Sequence, residues 1–509
     1  MAASVEKEAP RVYTNIEKNI EYLNDLLGFG ESYDIVLRRF NVAGKEIAMY
    51  SINGFVKDDV MALILRNLDQ LKRGDVSPNS LKKLFNEHIN HIQVDLANNL
   101  DQVIDGILSG PLALLIEGED QALIIDLRTY PGRSPQEPDL EKVVRGPRDG
   151  FVESVVQNTL LMRRRLRDPR MRNEVIQVGT RSKTDIVISY IDDIVNPDMV
   201  KRVKENIQKI KIDGIPMAEK AVEELIEPGK YGHLFPKVRF TERPDVAVAH
   251  LLEGRIVVTV DTSPSAMITP CTLWDHLQAA EEYRQGPPIG VYIRWVRYLG
   301  VLVALFLLPL WFLFSVQPDL LPPSLRFIGP SEPGRIPLIV QFVMAELAVD
   351  MIRLASVHTP SPLAISTGII AAILIGDVAI TVGLFSAEVV MYTAVAAVAS
   401  FIIPSYELSW AVRIVRLFLL LATAAFRLPG LIIAMLLVLA YLMRTKSLGV
   451  PYLWPLIPFN AKEMFAVVVR TPVTLRNKRP AIFHTLDPVR QAVPEPARKK
   501  ERGEDKEKK

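Results

Sequence analysis

The sequence predicts an α/β N-terminal cytosolic region of two related subdomains, followed by an α-helical polytopic membrane domain of five or six segments. Almost all long apolar runs lie between Tyr298 and Met443. Runs such as Leu299–Val316 and Gly368–Phe385 are long enough to cross a hydrocarbon core of ~30 Å as helices. Two stretches of the polar N-terminal half also repeat one order of predicted elements. A net charge of +2 excludes the large basic surface typical of nucleic-acid-binding proteins.

The composition divides the chain into four parts. Residues 1–150 form the first cytosolic α/β subdomain, and residues 151–290 form a basic linker helix and the second α/β subdomain. Residues 291–445 form the helical transmembrane domain, and residues 446–509 form a cytosolic C-terminal segment whose charged tail is predicted to be disordered.

Charged residues beside the apolar region predict its orientation. The N-terminus has no apolar core of the signal-peptide type. Arg294 and Arg297 come just before the first apolar run, and Arg444 and Lys446 come just after the last. Since positive charge favours the cytoplasmic side, both termini are expected in the cytoplasm, which favours six crossings over five.

The two similar stretches predict a duplication about 150 residues apart. The first runs from a strand at Tyr33–Val42 to an apolar hairpin at Leu112–Pro131, and the second from Thr184–Val195 to Asp245–Pro264. A helix follows each strand. The predicted hairpin tips are Glu117-Gly118 and Glu253-Gly254, because glycine next to polar residues between β-rich runs is typical of a turn. A further amphipathic helix at Leu273–Gln285 is expected to lead to the membrane.

The linker between these stretches is rich in arginine. Six arginines lie from Arg163 to Arg172, on a predicted helix that ends near Pro169. They form a solvated helix face, contact anionic lipid head groups, or contact an acidic surface of a neighbouring subunit. No aromatic platform accompanies them, which argues against nucleic acid. The candidates for membrane-surface or subunit contact are Arg163, Arg164, Arg165 and Arg167.

The predicted helix Ile336–Val357 carries Glu346, Asp350 and Arg353 within an apolar run. Their spacing of four and three places all three side chains on one face. That face would cost several kcal/mol against lipid, so it should meet other helices, a cavity or the membrane surface. A salt bridge between Asp350 and Arg353 explains two of the charges, whereas Glu346 has no local partner. All three are candidates for an ion path.

The most informative single residue is Asp377, beside Gly376 in the middle of the next apolar run. This carboxylate either pairs with a basic group of another helix or lines a water-filled path that cations enter. Small residues along the same run would let copies of the helix approach closely. Further along, two apolar pieces flank Arg427-Leu428-Pro429-Gly430, which predicts a tight helical hairpin or one re-entrant segment.

The sequence carries no phosphate-binding loop, dinucleotide-binding glycine pattern, nucleophile elbow or zinc-protease motif. We therefore expect no enzymatic activity and no cofactor. Cys271 is the single cysteine, which excludes an intrachain disulfide and a cysteine-cluster metal site.

Several segments together resemble the A subunits of the GerA-type spore germination receptors. They include NTLLMRRRLRDPRM, RSKTDIVISYIDDIVNP, FPKVRFTERPDVAVAHLLEGRIVVTVDTSP, SFIIPSYELSWAVRIVR and SLGVPYLWPLIPF, in unbroken order between Val152 and Gln491. The segments AAILIGDVAI and PYLWPLIPFN are most similar to a branch of this family linked to movement of dipicolinic acid. The resemblance implies a location in the inner spore membrane with both termini facing the spore core. It also implies homo-oligomers around a central ion path, and a small membrane protein as an additional partner.

Two functional hypotheses follow. The first is an oligomeric ion-conducting subunit that promotes germination and the release of ions or dipicolinic acid, with Asp377 attracting cations and Glu346 lining a vestibule. The alternative is a non-conducting scaffold or regulator of a separate dipicolinate channel, in which Asp377 pairs with an arginine such as Arg413 or Arg416.

Overall fold

The computed structural model describes residues 10–76, 80–89, 93–129, 141, 145–226, 233–325, 328–331, 335–358, 378–472 and 476–491. Its α-helices are α1 Ile16–Leu27, α2 Asp58–Asp69, α3 Arg73–Val76, α4 Ser80–Lys83, α5 Leu100–Ser109, α6 Val155–Arg165, α7 Pro197–Gln208, α8 Ala218–Ile226, α9 Pro244–Leu251, α10 Ala280–Arg284, α11 Pro287–Val316, α12 Leu338–His358, α13 Ala379–Thr381, α14 Ala387–Phe401, α15 Tyr406–Arg444 and α16 Ala461–Val468. Its strands are β1 Ile35–Val42, β2 Lys45–Ile52, β3 Val94–Ala97, β4 Leu112–Ile116, β5 Ala122–Ile125, β6 Met171–Val178, β7 Thr184–Ile191, β8 Arg239–Thr241, β9 Ile256–Val260, β10 Ala266–Thr269, β11 Lys446–Ser447 and β12 Val450–Pro451.

The N-terminal α/β domain contains two five-stranded antiparallel sheets with one strand order. The first sheet has the order β1-β2-β4-β5-β3, and the second has the order β6-β7-β9-β10-β8. The internal similarity of the sequence therefore has a structural counterpart. Its register differs from the expected one by one strand, since the Thr184 segment forms β7 and corresponds to β2 instead of β1.

The second predicted hairpin is also displaced. The segment before Glu253-Gly254 forms α9, with Pro244 in its first turn, and Gly254 follows this helix with a φ of +85°. The second hairpin is β9–β10. Alternating valines and alanines suit a short helix as well as a strand, and proline at a first helical position favours the helix. The first tip, Glu117-Gly118, is where the sequence predicts it, between β4 and β5.

Each sheet buries apolar side chains under its helices. The helix α1 packs on the first sheet through a stripe that includes Leu23 and Leu27, both almost fully buried. The helix α7 packs on the second sheet through Val203 and Ile207. The side chain of Asn15 caps α1, and that of Asn196 caps α7, each accepting backbone N–H groups of the first turn.

The C-terminal segment returns to the second subdomain. Leu448, Val450 and Phe483 are buried in the core of the second sheet. The side chain of Thr485 lies against Gly254. Described residues after the apolar helices therefore help to complete the second subdomain.

The connector before the apolar helices is not the predicted single helix. It consists of a 3₁₀ turn at Leu273–Leu277 and the short α10. Thr272 caps the turn in a reciprocal capping box with Asp275. The helix α11 follows directly, with Pro287 at its first position.

The apolar region forms a bundle of α11, α12, α14 and α15. Within the described residues, α11 and α15 are long and apolar enough to cross a membrane, and α14 is a shorter apolar helix. The count of five or six membrane segments remains a prediction.

The helix α15 is a hairpin. Arg427 has a non-helical backbone, with φ of 54° and ψ of −137°. A Cβ atom on Gly430 would lie 2.1 Å from the carbonyl oxygen of Ala422, eight residues earlier, which requires the chain to reverse. This bears out the tight hairpin at Arg427–Gly430 that the sequence predicts as one of two possibilities. We name its arms α15a, Tyr406–Phe426, and α15b, Leu428–Arg444.

The two ends of the bundle differ. At one end, Tyr441 of α15b packs against Phe235 of the second subdomain, with ring centroids 6.1 Å apart; we call this the proximal end. At the other, Arg427 donates a hydrogen bond to the last carbonyl of α11, at Val316; we call this the distal end. Both arms of α15 begin or end at the proximal end.

Candidate functional site: the polar seam of the helical bundle

The charged residues of α12 face α15a and define a polar seam inside the bundle. The opposite face of α12 carries exposed apolar side chains, namely Val340, Met344, Leu347, Met351 and Leu354. The spacing of four and three along this helix therefore separates an apolar stripe from a charged one, as the sequence predicts.

Glu346 and Arg416 form the deepest contact of the seam. Nη2 of Arg416 donates to Oε2 of Glu346 at 2.5 Å, and both side chains are buried. Nη1 of Arg416 donates to the carbonyl oxygen of Ala304 in α11 at 2.8 Å. One guanidinium thus links α12, α15a and α11, and Glu346 has the partner that local sequence did not reveal. Such pairing offsets the cost of placing either charge in an apolar bundle.

The other two charges of α12 also contact α15a. Asp350 forms an ion pair with Arg413 of α15a, a contact between helices. The guanidinium carbon of Arg353 lies 5.0 Å from the ring centroid of Trp410 and 5.1 Å from that of Tyr406. These are cation–π distances, and they place Arg353 at the proximal end.

A cavity of about 200 Å³ lies between this end of the seam and the α/β domain. Its lining includes Arg353 and Glu407 from the bundle and Glu141, Arg239 and Glu242 from the α/β domain. Mixed charge at a domain junction suits a hydrated vestibule. Glu346, which the sequence predicts to line a vestibule, is paired deeper in the bundle and is not part of this lining.

Asp377 and Gly376 lie outside the described residues. The described chain stops at His358, shortly after Arg353 at the proximal end. It resumes at Val378 beside the distal end, where the amide of Arg335 donates to the carbonyl oxygen of Gly383 at 3.1 Å.

Part of the arginine-rich linker is an internal support of the α/β domain. Arg163 is 1% exposed, and its Nε donates to the buried carboxylate of Asp34 at 2.9 Å. Its Nη2 also donates to the carbonyl oxygen of Met171 at 3.1 Å, and Asn173 donates to the same carboxylate. The assignment of Arg163 to a lipid or subunit surface is wrong, because its side chain is buried and joins the two subdomains.

The remaining candidates of the linker differ in exposure. Arg165 is partly buried and pairs with Asp149 at 2.5 Å. Arg164 and Arg167 are exposed on the surface of the α/β domain. For Arg164, Arg165 and Arg167, contact with lipid or another subunit remains a prediction.

Another buried pair joins the connector to the start of α11. Glu282 is fully buried and accepts from Nε of Arg294 at 2.8 Å. Nη1 of Arg294 donates to the carbonyl oxygens of Ala466 and Val467, and the hydroxyl of Tyr298 donates to Val467 as well. These carbonyls belong to the last turn of α16, where a cation is favourable. The start of α11 is therefore fixed to the C-terminal segment.

Sequence reasoning missed a further buried cluster, in the second subdomain. Arg255 donates two hydrogen bonds of 2.8 Å to the carboxylate of Asp275. Burial would raise the pKa of Asp275, but the charge of Arg255 outweighs it and holds that pKa below its usual range. Burial, with the nearby charges of Arg239 and Arg255, lowers the pKa of His276 to about 3, so this imidazole is neutral. In the sequence, the sign of this cluster is Arg255, which comes directly before the apolar strand β9.

Cys271 is buried, and burial raises the pKa of its thiol to about 12. Its Sγ donates to the carbonyl oxygen of Ile268 at 3.0 Å. Cys271 therefore acts as a small packing residue in this fold.

Comparison with known proteins places these features in one family. The family described as Bacillus/Clostridium GerA spore germination protein matches residues 21–482. Stage V sporulation protein AF of Bacillus subtilis (strain 168) is 47% identical over 95% of this chain and 98% of its own length. Spore germination protein GerLA of Bacillus cereus is 30% identical over 90% of this chain and 94% of its own length. One solved structure also aligns with this chain, namely the crystal structure of the N-terminal domain of the A subunit of the Bacillus megaterium spore germinant receptor GerK3. The TM-score is 0.42 and the sequence identity is 26%, over 52% of this chain and 98% of that one.

Proposed function

Because the chain belongs to the GerA family of spore germination proteins, we propose that it is a membrane subunit that conducts ions during germination as an assembly of several copies. It resides in the inner spore membrane with both termini facing the spore core. Its activity promotes the release of ions or dipicolinic acid, and a further small membrane protein completes the assembly.

The observation that carries this proposal is the pairing of the acids in the polar seam. Glu346 is bound to Arg416, and Asp350 is bound to Arg413, inside one copy of the chain. A cation path through this seam would have to break both pairs. We therefore assign the path to the interface between copies, beside the apolar face of α12.

Asp377 is the residue we assign to that path. The scaffold hypothesis paired it with Arg413 or Arg416, yet both arginines are engaged by acids of α12. A carboxylate at mid-membrane depth attracts cations when water reaches it.

We further propose six crossings. In addition to α11, α12, α14 and the two arms of α15, the sixth is the apolar run that includes Asp377. His358 lies at the proximal end of α12, whereas Val378 lies beside its distal end, and these opposite locations support a crossing by the run between them. Both arms of α15 have one end at the proximal end, which also supports six crossings.

Cation flux through purified protein in sealed liposomes tests the proposal. The native chain is compared with Asp377→Asn and with Asp319→Asn, a matched loss of one carboxylate from an exposed site at the distal end of α11. We expect flux from the native chain and from Asp319→Asn, and reduced or less selective flux from Asp377→Asn. Equal flux from all three would move the path away from Asp377.

A non-conducting scaffold for a separate dipicolinate channel is the second candidate. It is favoured by the same buried pairs, because they make the bundle a rigid support joined to the α/β domain. A scaffold predicts no flux from folded native protein, and it predicts that spores carrying Asp377→Asn release dipicolinic acid at the native rate.

A further inference from the structure

A basic cavity lies where α9, the connector before α11 and the C-terminal segment meet. Its volume is about 330 Å³. Four arginines line it, namely Arg239, Arg284, Arg476 and Arg490, against the two carboxylates of Asp245 and Glu253. His250 also lines the cavity, and burial holds its pKa below the usual range, so it adds no positive charge near neutral pH.

Glu253 is shared by more cations than it can neutralise. Its Oε1 lies 3.8 Å from Nη1 of Arg476 and 3.8 Å from Nη1 of Arg490. Its Oε2 lies 3.4 Å from Nη2 of Arg255. Because Arg255 is already paired with Asp275, Arg476 and Arg490 share the charge of Glu253, and a surplus of positive charge remains in the cavity.

Of the four arginines that line the cavity, Arg476 and Arg490 have N–H donors available, whereas Arg239 and Arg284 are engaged. Arg239 donates to the carbonyl oxygen of Asp275 at 2.9 Å, and Arg284 donates to Asp245 at 2.5 Å. The side chains of Arg476 and Arg490 are 27% and 25% exposed, and within the described residues neither donates a hydrogen bond. A guanidinium presents five N–H donors in a planar fork that suits carboxylate and phosphate groups.

We infer that this basic cavity binds a small anion with carboxylate or phosphate groups, held by Arg476 and Arg490. The source is a soluble anion or the head group of an anionic lipid, since the cavity adjoins the start of α11. The bound anion joins the C-terminal segment to Tyr283 and Arg284 of α10, which ends three residues before α11 begins. Its binding therefore stiffens the link between the α/β domain and the bundle.

Inorganic phosphate is the first probe. The full chain is placed in nanodiscs of phosphatidylcholine, and binding of radiolabelled phosphate is measured by equilibrium dialysis. We expect saturable binding that weakens at least tenfold in the double variant Arg476→Gln with Arg490→Gln.

A pair of variants at Ala249 separates binding from folding. Ala249 is exposed on α9 and lines the cavity, so Ala249→Glu supplies a tethered carboxylate, whereas Ala249→Gln has the same shape without charge. We expect Ala249→Glu to abolish phosphate binding and to melt at a higher temperature than Ala249→Gln at low salt. Equal binding by both variants, or a lower melting temperature for Ala249→Glu, would overturn the inference.

A lipid arm identifies the source. The dialysis is repeated in nanodiscs that contain phosphatidylglycerol. Loss of phosphate binding there, with phosphatidylglycerol retained less by Ala249→Glu than by Ala249→Gln, assigns the cavity to a lipid head group. Unchanged phosphate binding assigns it to a soluble anion. No saturable binding of either probe would overturn the inference.

Discussion

The pair of Arg163 and Asp34 makes a strong prediction about the α/β domain. Replacing Arg163 by Met leaves the carboxylate of Asp34 buried, with Asn173 as its remaining side-chain donor among the residues that the structure describes. Breaking a buried pair by removing one partner costs about 3–5 kcal/mol. At about 2–4 °C per kcal/mol for a domain of this size, the melting temperature should fall by roughly 6–20 °C.

Pulse proteolysis of the full chain across a urea series measures the loss in the free energy of unfolding, because cleavage reports the fraction of α/β domain that is open. The matched control is Arg170→Met, which removes a surface pair with Asp193 in which the side chains are 51% and 37% exposed. We expect the control to cost at most about 1 kcal/mol.

The double variant Arg163→Met with Asp34→Asn completes the test. Since no unpaired buried charge remains, it should regain at least half of the loss caused by Arg163→Met. A loss below about 1 kcal/mol for Arg163→Met, or a double variant as unstable as the sum of the single ones, would refute the reasoning.

Three further predictions concern the seam, the buried histidine and the C-terminal segment. Arg416→Gln should leave Glu346 without its cation and destabilise the bundle by about 3–5 kcal/mol, seen as a lower melting temperature in detergent; a melting temperature within 1 °C of native would contradict it. His276 has a folded pKa of about 3 and an unfolded pKa near 6.5, so the unfolded state binds the extra proton and stability should fall as the pH drops below 6.5, with a slope that approaches about 1.4 kcal/mol per pH unit near pH 5. A His276→Gln variant with the same pH slope as native would refute this. Gly254→Ala should destabilise the second subdomain more than Gly30→Ala does the first in urea unfolding, because both glycines have positive φ but only the Cβ at 254 meets another side chain, at 2.3 Å; equal losses would count against docking of the C-terminal segment.

The order of elements was largely predictable, because the patterns that define it are local. Apolar runs located α11, α14 and both arms of α15, and the Arg427–Gly430 interruption located the turn between the arms. The repeat was visible but one strand out of register, since β1 and β2 are adjacent strands of similar pattern. The helix α9 was mistaken for a strand because its short Val-Ala run fits both periods.

The partners of the charged residues were not predictable, because they come from distant parts of the chain. Arg163 and Asp34 are 129 residues apart, and Arg416 and Glu346 are 70 residues apart. A run of arginines has the composition of a surface, and nothing local distinguishes Arg163, which is buried, from Arg164, which is exposed. The shared face of Glu346, Asp350 and Arg353 was predictable from helical spacing, whereas the helix that it faces was not.

The measurement that tests the account most directly is the reversal potential of the purified native chain in a planar bilayer under a tenfold KCl gradient. A cation-conducting assembly predicts discrete currents that reverse towards the potassium equilibrium potential, about 59 mV in magnitude for a univalent ion. Reversal towards the chloride potential, or no current from folded protein, would contradict a cation path between copies of this chain.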